Sequence, residues 1–166
     1  MILLNPSANP NHSHPANWRS SANRLGRPGT TKGTTYAAWK NEIGATSDEA
    51  DPDGDGLTTF AEYALGSSPS VPSTSPLPTA ALSYFAAGPA NGVFPTITFH
   101  RRLDADDVTY DIESSSSLLA SQWQAGAGIL VSESNNGDGT ATMVYRTAQP
   151  LTTNQNVFLR LKMNTR

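Results

Sequence analysis

A chain of 166 residues with 37% hydrophobic residues, 13 Gly and 12 Pro can bury one good core or two small ones, and this composition favours short strands joined by turns. Because cysteine is absent, a disulfide framework, a cysteine-ligated zinc site and thiol catalysis are excluded. The formal net charge of −3, from 11 Lys and Arg against 14 Asp and Glu, gives no basic surface for nucleic acid and no cationic face for a membrane.

The first 34 residues are mostly Asn, Pro, Ser, Gly and Arg, around one short apolar strand at residues 2–4 and a single Trp18. They offer too little apolar surface for a core of their own, so we expect this segment to be poorly ordered. The apolar run that opens at Met1 stops at Asn5 without a basic flank, which argues against a signal peptide, and any export signal is expected upstream. No stretch reaches the roughly 20 apolar residues of a membrane-spanning helix, so membrane insertion is not expected.

Residues 35–66 have the pattern of two short amphipathic helices. Thr34 and Thr35 can cap the first helix, which Gly44 can end, and its apolar residues at helical spacing are Tyr36, Trp39 and Ile43. The second helix can end at Gly66, and its apolar residues at i, i+3, i+4, i+7 and i+8 are Leu57, Phe60, Ala61, Ala64 and Leu65. We expect Phe60 and Leu65 to pack against the apolar face of the first helix.

The loop between these helices, residues 51–62, reads D-P-D-G-D-G-L-T-T-F-A-E. Calcium takes six to eight oxygen ligands, and a 12-residue loop supplies them from positions 1, 3, 5, 7, 9 and 12 when a glycine at position 6 permits the sharp turn. The sequence fills every position. It predicts a metal site made of Asp51, Asp53, Asp55, the backbone carbonyl of Leu57, Thr59 directly or through a water, and a bidentate Glu62.

The charge count favours a cation in this loop. Without its four carboxylates the chain would carry 11 basic and 10 acidic residues, so the net acidity of the chain lies here. Clustered carboxylates repel one another unless solvent or a cation screens them. A solvated turn with capping aspartates is the alternative, and Ca²⁺ is the cofactor that the spacing favours.

These residues resemble the EF-hand family, and in particular the single EF-hand-like loops of exported dockerins and thrombospondin type 3 repeats, in which D-x-D-G-D-G recurs. The resemblance covers residues 36–66 and implies a structural calcium site. The chain departs from the family at Gly44 and at residues 45–50, which separate the first helix from Asp51, and it has no second loop. Loop pairing gives sensors their opening motion and dockerins their cohesin binding, so neither role is expected here.

Residues 67–79 form a Pro- and Ser-rich spacer that marks a domain boundary. Between residues 80 and 166, runs with apolar residues at alternate positions predict six strands, at 81–85, 96–102, 108–114, 129–133, 140–146 and 157–163. Residues 103–107 and 135–139 have the composition of hairpin turns. The expected fold is mostly β: a C-terminal antiparallel β-sandwich of immunoglobulin or fibronectin type, preceded by the small two-helix, EF-hand-like calcium-binding unit.

Two further resemblances concern the surroundings of these parts. The segments Ile2-Leu3-Leu4-Asn5-Pro6, P-A-N-W-R-S-S at 15–21 and G-R-P-G at 26–29 are similar to the closing strands of bacterial lamin tail domains. This implies that residues 1–34 are a truncated remnant of such a domain and that Met1 is not its natural start. An acidic loop followed by E-Y-A-L-G and a β module ending in F-L-R-L-K resembles the tails of large modular exported bacterial proteins, which implies an extracellular or cell-surface location and upstream domains as partners.

Few residues suggest catalysis. His12 and His14 could reach one transition metal but have no third ligand nearby, and an exposed loop is the preferred interpretation. His100 alternates with Phe99 and should lie on the solvated face of its strand. No nucleophile elbow, phosphate-binding loop, dinucleotide fingerprint or zincin motif occurs, so the chain is not expected to be an enzyme.

A second acidic cluster, Asp104, Asp106 and Asp107, lies between two predicted strands. It could be another cation site, but it lacks the glycine turn and the closing glutamate of the first loop. A solvated hairpin tip is therefore the preferred interpretation.

Three aromatic residues of the β module allow two interpretations. Trp123, Tyr110 and Tyr145 could stack on sugar rings, but the tyrosines share the phase of apolar strand residues, so they are expected in the core, as is Trp123. The sequence thus favours a non-catalytic, calcium-stabilised accessory region of an exported multidomain bacterial protein. The alternative is a carbohydrate- or surface-binding β module with a calcium-stiffened linker, whose partner is a polysaccharide or a cell-surface component.

Overall fold

The computed structural model describes residues 2–3, 11, 13, 18–19, 34–73, 77–87, 90–153 and 155–166. Strands β1 (Ile2–Leu3) and β2 (Trp18–Arg19) pair antiparallel, and helices α1 (Tyr36–Glu42) and α2 (Thr59–Leu65) follow. The remaining elements are β3 (Thr79–Ala87), β4 (Ala90–Arg102), β5 (Val108–Ser115), a 3₁₀ turn (Ala120–Gln122), β6 (Gly128–Asn135), β7 (Thr140–Thr147) and β8 (Phe158–Thr165). Most of residues 1–34, the expected lamin-tail-like remnant, lies outside the described residues.

The six C-terminal strands form two antiparallel sheets. The four-stranded sheet has the order β3-β4-β7-β6, and β5 pairs with β8 in a two-stranded sheet. The sheets pack as a sandwich-like region in which β8 contacts β4 and β5 contacts β6. The predicted mostly β fold, with a C-terminal antiparallel sandwich after two short helices, is confirmed, and every predicted strand overlaps an observed one. The narrower immunoglobulin or fibronectin type stays a prediction.

The main core lies between the two sheets. Because side chains alternate along a strand, Ile97 and Phe99 of β4 face the same side, where they pack with Met143 of β7. The Phe99 ring stacks on the rings of Tyr110 and Tyr145, each with a centroid distance of 5.9 Å. The prediction that both tyrosines belong to the core is confirmed.

Both helices pack against one end of the sandwich, where β4 ends and β5 and β7 begin. Leu57, just before α2, and Leu65 at its end are buried in the main core. The prediction that Leu65 packs against the first helix is wrong, because the sheets supply a larger apolar surface for it. In the described part of the chain, neither helix has the length and apolar character needed to cross a membrane.

A second, aromatic core joins the two helices. Tyr36 and Trp39 of α1 and Tyr63 of α2 are buried together, and the ring centroid of Tyr63 lies 5.2 Å from that of Tyr36 and 5.3 Å from that of Trp39. Phe60 contacts the Tyr36 ring edge-on at 5.1 Å, as predicted. Aromatic packing therefore joins the two helices directly to each other.

Local sequence explains where the helices begin and where α2 ends. The Thr35 and Thr58 hydroxyls each accept a hydrogen bond from the backbone N–H three residues on, at 3.3 Å. Gly66 ends α2 in the left-handed conformation, with φ of 83°. A Cβ at this position would also lie 2.6 Å from Cγ2 of Thr140 on β7, so both the turn and the close contact with the sheet require glycine.

Residues 103–107 form an arch between the sheets. The prediction of a hairpin turn is wrong here, because β4 and β5 lie in different sheets. Leu103 is fully buried and Ala105 is 6% exposed, and the Leu103 N–H donates to the Gly139 carbonyl at 2.9 Å. The turn at 135–139 does join β6 to β7, as predicted.

Candidate metal centre

The acidic loop folds around its first aspartate. The carboxylates of Asp51, Asp53 and Asp55 each offer an oxygen, and these three oxygens lie within 4.8 Å of one another. Asp51 Oδ1 accepts from the N–H of Gly54 at 2.8 Å, and Asp51 Oδ2 accepts from the N–H of Gly56 at 2.9 Å. Both glycines have positive φ, 76° and 92°, which lets the backbone turn sharply enough to aim its N–H groups at the carboxylate.

The other two aspartates are held in different ways. Asp55 Oδ1 accepts from the Leu57 N–H at 2.8 Å, and Asp55 Oδ2 accepts from the Ser73 N–H at 2.9 Å, so this side chain links the loop to the spacer. Asp53 Oδ1 accepts from the Asp55 N–H at 3.3 Å, but Asp53 Oδ2 is buried with no hydrogen-bond partner among the described residues. A buried carboxylate oxygen without a donor is costly unless a cation faces it.

Glu62 is a fully buried carboxylate beside the acidic loop. It lies in the first turn of α2, is 0% exposed, and both of its carboxylate oxygens are buried without a hydrogen bond within the described part of the chain. Burial raises the pKa of Glu62 to about 7, and the charges of Asp53, Asp55 and Asp51 add to this rise. Glu62 is outside the group of three aspartates defined by the 4.8 Å distance, but it shares their electrostatic field.

This donor set fits a hard cation. Every candidate side chain offers oxygen, and the orphaned oxygens of Asp53 and Glu62 are the atoms that a cation would satisfy. Soft transition metals prefer sulfur or imidazole ligands, and the loop offers neither. The structure thus contains an acidic cluster that could hold a metal ion between two short helices, followed by antiparallel sheets.

The remaining two predicted ligands occupy fixed positions. The Leu57 side chain is 6% exposed in the main core, which fixes the backbone at position 7 of the loop. The Thr59 hydroxyl donates to the Ala50 carbonyl at 3.0 Å, and the Thr59 N–H donates to the same carbonyl at 2.7 Å. These bonds close the loop across its two ends and leave lone pairs on the Thr59 oxygen. Coordination by Leu57 and Thr59 stays a prediction.

Asp107 is a structural residue that the sequence did not reveal. Its Oδ2 accepts from the Tyr36 N–H at 2.6 Å and its Oδ1 accepts from the Tyr63 hydroxyl at 2.7 Å, so one carboxylate from the arch holds both helices. Burial and the hydrogen bond to Asp107 raise the pKa of Tyr63 far above its usual range. Nothing local distinguishes Asp107 from Asp106, because its partners lie 71 and 44 residues away in sequence.

The other acidic residues of this segment are also engaged. Asp104 Oδ1 accepts from Arg102 Nε at 2.6 Å. The preferred interpretation of the 104–107 cluster as a solvated hairpin tip is therefore wrong, because the segment is an arch whose carboxylates bind neighbouring elements. Among the described residues, Asp51, Asp53 and Asp55 are the acidic side chains that form a candidate metal group, and Asp104, Asp106 and Asp107 do not form a second one.

The remaining candidate residues lie away from the acidic loop. His12 and His14 lie outside the described residues. His100 is half-buried on β4, on the opposite face from the core residue Phe99. The prediction that Trp123 lies in the core is wrong, because Trp123 is half-buried outside both core clusters and the Arg160 guanidinium covers its ring at 4.2 Å from the centroid.

Comparison with known proteins gives no match to this chain among family models, curated proteins or solved structures.

Proposed function

We propose that this chain is a non-catalytic, calcium-stabilised accessory region of an exported multidomain bacterial protein. In this proposal Asp51, Asp53, Asp55 and Glu62 hold one Ca²⁺, with the Leu57 carbonyl and Thr59 completing the ligand set. The bound ion supplies positive charge that neutralises the carboxylates. The single observation that carries the proposal is the fully buried Glu62 carboxylate, which has no hydrogen-bond partner among the described residues and is repelled by three aspartates.

Neutralisation of the loop carboxylates would stabilise the position of α2. Glu62 lies between Phe60 and Ala64 on α2, and the same helix contributes Tyr63 to the aromatic core and Leu65 to the main core. Relief of repulsion at Glu62 therefore favours the helix in the position that both cores require. Asp55 extends the effect to the spacer through its bond to the Ser73 N–H.

The location belongs to the same proposal. A single loop of this kind binds calcium with a dissociation constant of about 10⁻⁴–10⁻³ M, which is useful where calcium is abundant and of little use in a cytosol. An extracellular or cell-surface protein meets that condition. Upstream domains of the same protein, as implied by the lamin-tail-like residues at 1–34, are then its covalent neighbours.

A calorimetric calcium titration of the metal-stripped full chain tests the proposal. We expect one site with a dissociation constant of about 10⁻⁴–10⁻³ M. Asp55→Ala and Glu62→Ala should each abolish the heat, because each removes a ligand carboxylate. Glu49→Gln is the matched control, since Glu49 is an exposed carboxylate just before the loop, and it should bind as the wild type does.

Two results would overturn the proposal. The first is the absence of heat at millimolar calcium, with proteolysis of residues 35–66 indifferent to the ion. The second is binding that survives both Asp55→Ala and Glu62→Ala, which would locate the ion elsewhere. Magnesium serves as a further comparison, because it demands near-ideal octahedral geometry and should bind this loop more weakly.

A further inference from the structure

A polar cleft lies at the end of the sandwich opposite to the helices. It has a volume of about 570 Å³ and lies where β5 and β7 end and β8 begins. Its walls come from residues 114–116, from Gln122, Gln124 and Ala127, and from residues 147–150 and 155–157. The volume falls within the roughly 300–1,000 Å³ of small-molecule sites. Loops at one end of a rigid sandwich are also a usual place for binding residues.

The cleft has an unusual composition. The chain contains four glutamines, Gln122, Gln124, Gln149 and Gln155, and all four line the cleft together with Asn156. They come from three separate stretches of sequence, so the fold and not local composition brings them together. None of the described residues that line the cleft is charged.

The side-chain amides of Gln124 and Gln149 are available to a ligand because other bonds hold these parts of the wall. Gln155 differs, since its Oε1 already accepts from the Thr152 N–H at 3.3 Å and from the Thr152 hydroxyl at 3.0 Å. Ser114 and Gln124 join through their backbones, with N–H to carbonyl distances of 3.0 and 2.9 Å in the two directions. The Thr147 hydroxyl donates to the Gln149 carbonyl at 2.7 Å. Both backbone anchors leave the side-chain amides of Gln124 and Gln149 exposed. A preorganised wall with unspent donors and acceptors lowers the entropy cost of binding.

We propose that this cleft binds a neutral oligosaccharide. Each primary amide offers both donors and an acceptor, which is the pairing that a sugar hydroxyl requires. The apolar surfaces of Ala127, Ala148 and Val157 in the same cleft suit the C–H faces of a sugar ring. An ionised ligand would be desolvated here without a compensating charge, which makes a phosphate or a uronic acid a poor fit.

Trp123 does not belong to this site. It lies between Gln122 and Gln124 in sequence, but it is not a lining residue, and Arg160 covers its ring. The inference therefore differs from the aromatic stacking platform considered in the sequence analysis. It is also independent of calcium, because the acidic loop lies at the other end of the sandwich.

The four glutamines permit a site-specific experiment. In calcium-containing buffer, full-length chain with ¹⁵N only in glutamine gives signals from four backbone and four side-chain amides, all of them in the cleft. The probes are hexasaccharides of cellulose, xylan, laminarin, mannan and starch type, up to about 10 mM, ten times the dissociation constant of a weak, ~1 mM site. We expect at least one of them to shift these signals saturably.

Variants then assign the binding energy to the amides. Gln124→Ala and Gln149→Ala should each weaken binding by about 2- to 12-fold, the loss expected for one hydrogen bond. Ser134→Ala is the matched control, because Ser134 is exposed on β6 away from the cleft, and it should leave the affinity unchanged. Trp123→Phe should also retain binding if the amides, and not the indole, hold the sugar.

Three outcomes would overturn the proposal. One is the absence of shifts with every neutral glycan. Another is saturable binding that Gln124→Ala and Gln149→Ala leave unaltered, since the ligand would then lie elsewhere. The last is binding of an oligogalacturonate in preference to all neutral probes, because that would show a charged ligand class.

Discussion

The two ends of the sandwich differ in the burial of their candidate ligand groups. At the metal end, the Glu62 carboxylate and one oxygen of Asp53 are buried without hydrogen-bond partners within the described residues. At the cleft end, the amides of Gln124 and Gln149 are exposed, and water can satisfy them. Removal of a ligand group at the metal end should therefore change the stability of the ligand-free chain, whereas removal of an exposed amide at the cleft end should change it little. The difference between the ends lies in whether the fold has already desolvated its ligand groups.

The largest expected effect comes from Glu62→Gln, which keeps the shape and removes the charge. In calcium-free buffer the variant should be more stable than wild type by about 1–3 kcal/mol, because a buried, unpaired carboxylate is gone. In 10 mM calcium this advantage of the variant should shrink or be lost. The wild type gains about 1.4–2.7 kcal/mol from a site with a dissociation constant of 10⁻⁴–10⁻³ M, and the variant does not. Urea unfolding with and without chelator measures both differences.

Glu49→Gln, at an exposed carboxylate, is the control for Glu62→Gln and should change neither value. If Glu62→Gln lowered the free energy of unfolding by the same amount in both buffers, the Glu62 carboxylate would not be a calcium ligand, and the contrast between the two ends would fail. Glu62 would then act as an ordinary buried packing residue.

The next effect concerns the carboxylate that holds the helices to the arch. Asp107→Ala removes both acceptor oxygens, so the Tyr36 N–H loses its carboxylate partner and the Tyr63 hydroxyl keeps the Thr34 carbonyl as its acceptor. We expect a loss of about 1–3 kcal/mol in the free energy of unfolding, in calcium and in chelator alike. Glu42→Gln, at an exposed residue of α1, should be neutral. Equal stability of Asp107→Ala and wild type would mean that the aromatic core alone positions the helices.

A pH-dependent prediction concerns Glu113 of β5, beside the cleft wall at Ser114. Its Oε2 accepts from Arg160 Nε at 2.7 Å and its Oε1 lies 3.3 Å from Lys162 Nζ. These hydrogen bonds, that from Arg160 foremost, hold the pKa of Glu113 below its usual value. The stabilisation is thus present above the unfolded-state pKa of about 4.3 and is lost as the pH falls through the lower folded-state pKa.

Glu113→Gln should therefore be less stable than wild type at pH 7, and the difference should narrow as the pH falls below about 4. Urea midpoints at several pH values measure this difference, with the exposed Glu133→Gln as a control that shows no such trend. A difference that stays constant with pH would show that charge plays no part in the pairing of β5 with β8.

The smallest expected effect is that of Gln149→Ala at the cleft. Because the side chain is exposed, the free energy of unfolding should stay within about 0.5 kcal/mol of wild type. Thermal unfolding in parallel with Glu62→Gln makes the comparison direct. A loss of more than 1 kcal/mol, in the range of buried sites, would show that the amide serves the fold instead of a ligand.

Local patterns in the sequence accounted for the elements and for the acidic loop. The helix cap at Thr35, the stop at Gly66 and the period-two strands all depend on neighbours a few residues apart, and each appears where it was predicted. The D-x-D-x-D-G spacing likewise brought three aspartates together because a loop of that length turns on its own glycines.

Long-range features were beyond the reach of the sequence. Turn composition at residues 103–107 is the same for a hairpin and for an arch, and only the sheet to which β5 belongs decides between them. The role of Asp107 depends on two partners from distant helices, and the glutamine cleft on three stretches that meet only after folding. The available signal was that all four glutamines lie in the last 45 residues, but this alone does not show that they meet in one cleft.

The glycine at the end of α2 constrains how this protein can vary through evolution. A side chain at position 66 would meet two barriers at once, the left-handed backbone and the methyl group of Thr140. Exchange of Thr140 for serine removes the methyl group but leaves the backbone barrier, so no single compensating change opens the position. Homologues that keep this fold should therefore retain glycine four residues after the closing glutamate of the loop. The spacing D-x-D-x-D-G-x₅-E-x₃-G is thus a longer search pattern than the acidic loop alone, and its last letter is required by contact between helix and sheet.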